Sequence, residues 1–204
     1  MDGVAPRLEG SLKRRQIVEA AVELFLAHGY GSVSMDGIAR AAGVSKATLY
    51  AYFASKAQLF ATIIGDACRE KTEDGAIFPG ETDDIAAALY NLADRMLRFL
   101  LEPRKLAIYR MTIAEAVRFP ELGEVYLENG PYRFRDRVAA WIGVQAAAGR
   151  LKVDDPVVAG EHFLGMLQTG MMMRVRLGQG PAPDEAEIAA TARAAVGTFL
   201  RAFT

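Results

Sequence analysis

The segment from Ser34 to Phe60 constrains this chain more than any other, because it prescribes two short helices, a tight turn and the start of a third helix. Ser34 can cap the first helix, with Asp36 in its first turn near the positive end of the helix dipole. Met35, Ile38, Ala39 and Ala42 recur at helical spacing and give it an apolar face. Gly43 suits the left-handed backbone that ends a helix and turns the chain. Val44 supplies an apolar plug, and Ser45 caps a second helix from Lys46 to about Phe53. Leu49 and Phe53, four apart, face inward, and Ser55 with Gln58 has the spacing of a capping box for a third helix.

What remains for the outer faces of the second helix is Lys46, Ala47, Thr48, Tyr50 and Tyr52. Lys46 can reach guanine or phosphate, Ala47 a thymine methyl, and Thr48 either base or phosphate. Ser34 and Lys56 stand at helix starts, where backbone N–H groups attract phosphate. Glycines and serine caps also occur in any helical corner, and Tyr50 and Tyr52 fit a half-buried core as well. Such a corner has no need of a small residue, a lysine and a hydroxyl grouped on one outer face. The expected site is therefore a recognition helix at about residues 45–53 entering the DNA major groove. Its candidate residues are Ser34, Ser45, Lys46, Ala47, Thr48, Tyr50, Tyr52 and Lys56.

At these residues the chain resembles the DNA-binding domain of the TetR family of bacterial transcriptional regulators. The matching positions are Ser34, Ile38-Ala39, Ala42-Gly43-Val44-Ser45, Thr48-Leu49-Tyr50, Tyr52-Phe53 and Ser55-Lys56, within a stretch from Ser11 to Phe60. Gly37 departs from the pattern, which more usually has a larger or charged residue there; it costs about 1 kcal/mol of helix propensity relative to Ala.

The formal net charge of −1 is low for a DNA-binding protein, but it is unevenly spread. Residues 1–56 carry a balance of +2 and the remainder −3. Arg7, Lys13, Arg14 and Arg15 can contact phosphate or enter the minor groove, or form a solvated tail. Hydrophobic residues make up 51% of the chain, which argues against disorder. No apolar run reaches the roughly 20 residues of a membrane span, and no secretory signal pattern is recognisable. The single cysteine, Cys68, excludes an internal disulfide and reads as a small buried hydrophobe. The expectation is a cytoplasmic protein without cofactor or metal.

The whole chain reads as all-α, with about nine helices. A first helix at about Ser11–Ala27 carries Ile17, Ala20, Leu24 and Phe25 on one face and ends at Gly29. The clearest boundary is Thr72–Glu81, with Gly75, Pro79 and Gly80. It separates a helix-turn-helix domain at 1–72, in which three helices form the DNA-binding unit, from a helical regulatory and dimerisation domain at 73–204. Thr82 or Asp83 starts the next helix, and Pro103 another that Pro120 stops. A stretch interrupted at Asn129-Gly130-Pro131 runs to Gly149. Asp155-Pro156 opens a helix to about Gly178, and the last begins near Asp184 with Ile188, Ala192, Ala195 and Phe199 inward.

This second part resembles the AefR-like subgroup through Phe119-Pro120-Glu121-Leu122, Tyr126, Asn129-Gly130-Pro131 and Phe163-Leu164-Gly165-Met166-Leu167. The resemblance implies a homodimer through helices at about 156–178 and 184–203, where Gly165, Gly170, Ala189, Ala192, Ala195, Val196 and Gly197 allow close approach or pack within one subunit. A dimer places two recognition helices about 34–36 Å apart on double-stranded DNA, so a palindromic operator is expected. The resemblance also implies a small apolar effector among the middle helices. Met96, Phe99, Tyr109, Met111, Phe134, Trp141, Met166 and Met171 are candidate lining residues, and each also fits plain core. Met171-Met172-Met173 cannot all face one way.

Two other classes stay open. A helical-bundle enzyme would need a catalytic constellation, yet neither His28 nor His162 has a carboxylate three residues before it, and no phosphate-cradling glycine loop occurs. An architectural DNA-binding protein would share the helix-turn-helix but lack strong sequence preference and effector response. The family's habit is repression, with the effector favouring a state of weaker DNA affinity.

Overall fold

The computed structural model describes the backbone of residues 5–72 and 84–204 and the side chains of 12–67 and 84–204. Among these residues the regular structure is all helical. The segments are α1 (Ala5–His28), α2 (Met35–Ala41), α3 (Lys46–Tyr52), α4 (Lys56–Thr72), α5 (Ile85–Leu101) and α6 (Pro103–Ala116). They continue as α7 (Pro120–Asn129), α8 (Pro131–Ala147), α9 (Pro156–Met166), α10 (Gly170–Arg176) and α11 (Glu185–Phe203).

The sequence reading differs from this in detail. α1 starts at Ala5 rather than near Ser11. The interruption expected at Asn129-Gly130-Pro131 is present, between two helices that each open on proline. The helix expected over 156–178 breaks, because Thr169 is extended (φ −80°, ψ −165°) and α10 restarts at Gly170. Thr and Gly are weak helix formers, so a break there costs little. α5 is capped by Asp84, whose side chain accepts from the Ala87 amide. Thr82, Asp83, most of the Thr72–Glu81 boundary and the side chains of Arg7 and Cys68 lie outside the described residues.

The described chain forms two compact units. The first combines α1–α4, through Ala67, with Ala107–Gly130, which is most of α6 and all of α7. Its core holds Ile17, Ala21, Phe25, Ile38, Leu49, Phe53, Leu59 and Phe60, all nearly inaccessible. Phe25, Tyr30 and Phe60 form an aromatic cluster with ring centroids 5.3, 5.8 and 6.3 Å apart. Leu49 is the inward anchor of α3, and its truncation to Ala should cost about 2–5 kcal/mol.

The second unit takes residues 68–72, 84–106 and 131–204 among those described. Leu89, Leu92 and Met96 of α5 share its core with Val138 and Ile142 of α8, Phe163 of α9 and Phe199 of α11. α9 packs on α8 at Gly160, where a Cβ would stand in ordinary van der Waals contact, 3.5 Å from the Ala139 amide nitrogen. Arg98 of α5 bonds both Asp94 and Glu185 at the start of α11. Ala192, Ala195 and Val196 lie in this unit's own core. Among the residues expected to pack helices closely, these three therefore follow the within-subunit alternative.

Candidate nucleic-acid interface

The turn between α2 and α3 forms as the residue types require. Gly43 takes φ +65°, and its amide donates to the Arg40 carbonyl at 3.2 Å while the Val44 amide donates to the Ala39 carbonyl at 3.0 Å. This is the paired pattern of a Schellman cap, and it closes α2 so that α3 can leave at an angle. Ser34 caps α2 by accepting from the Gly37 amide, and Ser45 caps α3 by accepting from the Thr48 amide at 3.0 Å. Ser55 accepts from the Gln58 amide at 3.1 Å, and the Gln58 carbonyl oxygen accepts from the Ala54 amide at 2.6 Å. The reciprocal box therefore reaches one residue further back than the sequence pattern suggests.

Leu49 and Phe53 pin α3 inward and leave Ser45, Lys46, Ala47 and Tyr50 on its exposed side. Tyr50 is half exposed. Thr48 is partly shielded, with its hydroxyl 2.8 Å from that of Ser45. Tyr52 is also partly shielded, and its ring stands 6.4 Å from that of Phe53. The Lys46 ammonium pairs with Asp36 of α2 at 2.5 Å, both side chains being well exposed. A pair this exposed is worth about 0–1 kcal/mol, so a phosphate can displace the carboxylate. Arg40, one turn after Asp36 on α2, is exposed beside this surface and was missed by motif reasoning. The i, i+4 spacing from Asp36 was the available signal.

Lys56 is placed otherwise than a DNA contact requires. Its ammonium turns inward and donates to the carbonyl oxygens of Tyr30 (2.7 Å) and Val33 (2.8 Å), over the Tyr30 ring. Burial lowers its pKa, while Glu115 and Glu121 oppose that shift. Only the backbone at the start of α4 remains available for the phosphate role expected there.

Part of α6 and α7 closes on the same corner. The Glu115 carboxylate accepts from the Gly31 amide at 3.1 Å, and the Phe119 ring stands 5.6 Å from that of Tyr30. A Cβ on Gly31 would come within 2.7 Å of the Phe119 ring. Sequence patterning marked Phe119-Pro120 but gave no signal for these partners, which lie more than 80 positions apart.

The candidate effector residues divide between the units. Met96, Phe99, Phe134 and Met171 are buried in the core of the second unit, and Trp141 and Met166 pack against it. Tyr109 and Met111 belong to the first unit, where Tyr109 neighbours Tyr126 at 6.2 Å. Met171 and Met172 are buried while Met173 is 60% exposed, which resolves the three-methionine run. Among the described residues no group of His, Cys, Asp and Glu could hold a metal ion, and no helix is long and apolar enough to cross a membrane.

Comparison with known proteins bears on this geometry. Residues 17–63 match the profile of bacterial regulatory proteins of the tetR family, and residues 87–204 match that of the AefR-like transcriptional repressor C-terminal domain. The solved structure of the flavonoid-responsive regulator FrrA is similar at 35% identity and a TM-score of 0.82, over 94% of this chain and 97% of that one. A TetR transcriptional regulator from Agrobacterium tumefaciens is similar at 28% identity and a TM-score of 0.73, over 93% and 94%. The transcriptional activator FasR of Mycolicibacterium smegmatis is 43% identical over 58 residues, or 28% of this chain and 26% of that protein. The matches to the first curated relatives thus span only a fifth to a quarter of those proteins' length.

Proposed function

Since this chain belongs to the TetR family of DNA-binding transcriptional regulators, we propose that it is a cytoplasmic, non-enzymatic homodimer that represses transcription from a palindromic operator and is released by a small, largely apolar effector. The observation that carries the DNA reading is α3 itself. Its buried face is fixed by Leu49 and Phe53, while Lys46, Ala47 and Tyr50 stand exposed and offer a charge, a methyl and an aromatic ring to a groove. Ser34, Ser45, Thr48 and the backbone at Lys56 serve phosphate, joined by Arg40.

For the dimer, the supporting feature is the outer side of α11. Ala186, Ala190, Ala194 and Thr198 are exposed there, with Gly197 half exposed, at i, i+4, i+8 spacing. Val157, Val158 and Gly165 are exposed on α9. Small exposed residues on two neighbouring helices fit close packing against a second copy. Residues 1–72 then act as the DNA-binding part and 73–204 as the effector and dimer part.

Repression follows the AefR-like repressor profile over residues 87–204. For the effector, FrrA, one of the relatives matched over nearly their whole length, is described as flavonoid-responsive, so flavonoids are the class to test first. An effector that binds one arrangement of the second unit better shifts the operator-competent population by its differential affinity.

The reading is tested by binding the purified protein to fragmented genomic DNA of its source and sequencing what is retained. A shared palindrome enriched by the wild type and lost with Lys46→Ala or Tyr50→Ala supports it. Retention of random fragments at equal strength at one salt concentration would instead describe an architectural protein.

A further inference from the structure

We infer that the indole N–H of Trp141 is the hydrogen-bond donor of the effector site, and that the effector is an aromatic molecule carrying a carbonyl oxygen. The inference rests on the reading that the second unit's core takes an effector, and it names the polar contact and the chemical class.

Among the described residues, Trp141 Nε1 is the one buried side-chain nitrogen or oxygen without a hydrogen-bond partner. Buried donors are nearly always satisfied, because losing water without gaining an acceptor is costly. Phenylalanine or leucine would fill the same space with no orphaned donor, so the indole is a poor choice for packing alone.

The position of Trp141 on α8 says where an acceptor must come from. The side of α8 facing α9 is marked by Ala139, against Gly160, and by Gly143, where a Cβ would stand 3.7 Å from Pro156. Trp141 lies two residues from each, and at a helical repeat of 3.6 that is the opposite side. It shares that side with Phe134, seven residues earlier, and Gln145, four residues later, both buried. The Gln145 carbonyl oxygen already accepts from Arg150 at 2.7 Å.

The surroundings set the ligand class. Trp141 packs against the core that contains Met96, Phe99, Phe134 and Met171, with Met166 also against it. Thioethers and aromatic rings favour flat, polarizable ligands and carry no hydrogen-bond donor of their own. One fixed N–H in such a lining selects an aromatic ring system with an acceptor and penalises both a bare hydrocarbon and a charged molecule.

The sequence contains a single tryptophan, so the full-length 15N-labelled protein gives one indole N–H resonance that reports this atom directly. The probes are flavanone and flavan, which share ring skeleton but differ by the carbonyl, so flavan controls for ring-current effects. The expected result is a downfield move of the indole proton with flavanone alone. Calorimetry should show flavanone binding roughly ten-fold tighter than flavan, the effect of one neutral hydrogen bond, and the preference should vanish in Trp141→Phe. The wild-type resonance decides the question even where that variant fails to fold. Equal binding of the two probes with no selective move of the resonance overturns the role of Trp141 and leaves the effector reading standing. Binding of neither probe overturns the inferred ligand class.

Discussion

The ammonium of Lys56 lies 2.7 Å from the carbonyl oxygen of Tyr30 and 4.3 Å from the centre of the Tyr30 ring. A cation at the start of the helix that follows the recognition helix is thereby used to hold the α1–α2 turn rather than to meet DNA. Lys56→Met keeps the stem and removes the charge. It should lower the stability of the first unit by about 1–3 kcal/mol, the range for hydrogen bonds to charged groups. Operator affinity should fall only as far as the melting curve does. A variant that melts like the wild type yet loses the operator would assign Lys56 to the DNA interface instead.

Lys46 behaves in the opposite way. Its partner Asp36 is exposed and easily exchanged, so the pair holds little of the fold. Lys46→Ala should leave the melting temperature unchanged and reduce by about one the slope of log affinity against log salt. Asp36→Asn removes a carboxylate that competes with phosphate and should tighten DNA binding. Weaker binding by a folded Asp36→Asn protein would show that the carboxylate orients Lys46 instead.

The corner made by Glu115, Phe119, Tyr30 and Gly31 admits no side chain at Gly31. Gly31→Ala drives a methyl into the Phe119 ring, so it should cost about 1–3 kcal/mol, as overpacking does. The double variant Gly31→Ala, Phe119→Ala should recover part of that loss. Double-mutant cycles in thermal or urea unfolding measure the coupling, and additivity of the two substitutions would deny the contact.

Tyr30 fixes an alkaline limit. Burial, with a smaller contribution from Glu121, pushes its hydroxyl up from 10.0 to about 12. The folded pKa is raised, so the unfolded chain gives up this proton first. The stabilisation is complete below pH 10 and is lost as pH climbs from 10 towards 12. Thermal melts over that window should fall less steeply for Tyr30→Phe than for the wild type. Identical slopes would mean that Tyr30 ionises in the folded protein as freely as in the unfolded one.

The local rules proved the legible part of this molecule. Ser34, Gly43, Ser45, Asp155 and Asp184 sit where caps and turns were expected, because their chemistry acts within four residues. The inward set Leu49, Phe53, Ile188 and Phe199 followed from helical spacing for the same reason. Long-range partners left no such trace. Nothing near Lys56 announces that its charge meets carbonyls 23 and 26 positions away, and nothing near Glu115 points to Gly31. Ala192 and Ala195 illustrate a different gap, since a small residue on a helix suits an intrachain and an intersubunit contact equally.

The central claim is sequence-specific recognition of DNA by α3, and selection of genomic fragments tests it most directly. The account predicts one palindromic motif with half-sites about one helical turn apart, retained by the wild type and lost with Lys46→Ala and Tyr50→Ala. No enrichment over random fragments, before or after unfolding and refolding to strip any bound effector, would contradict it.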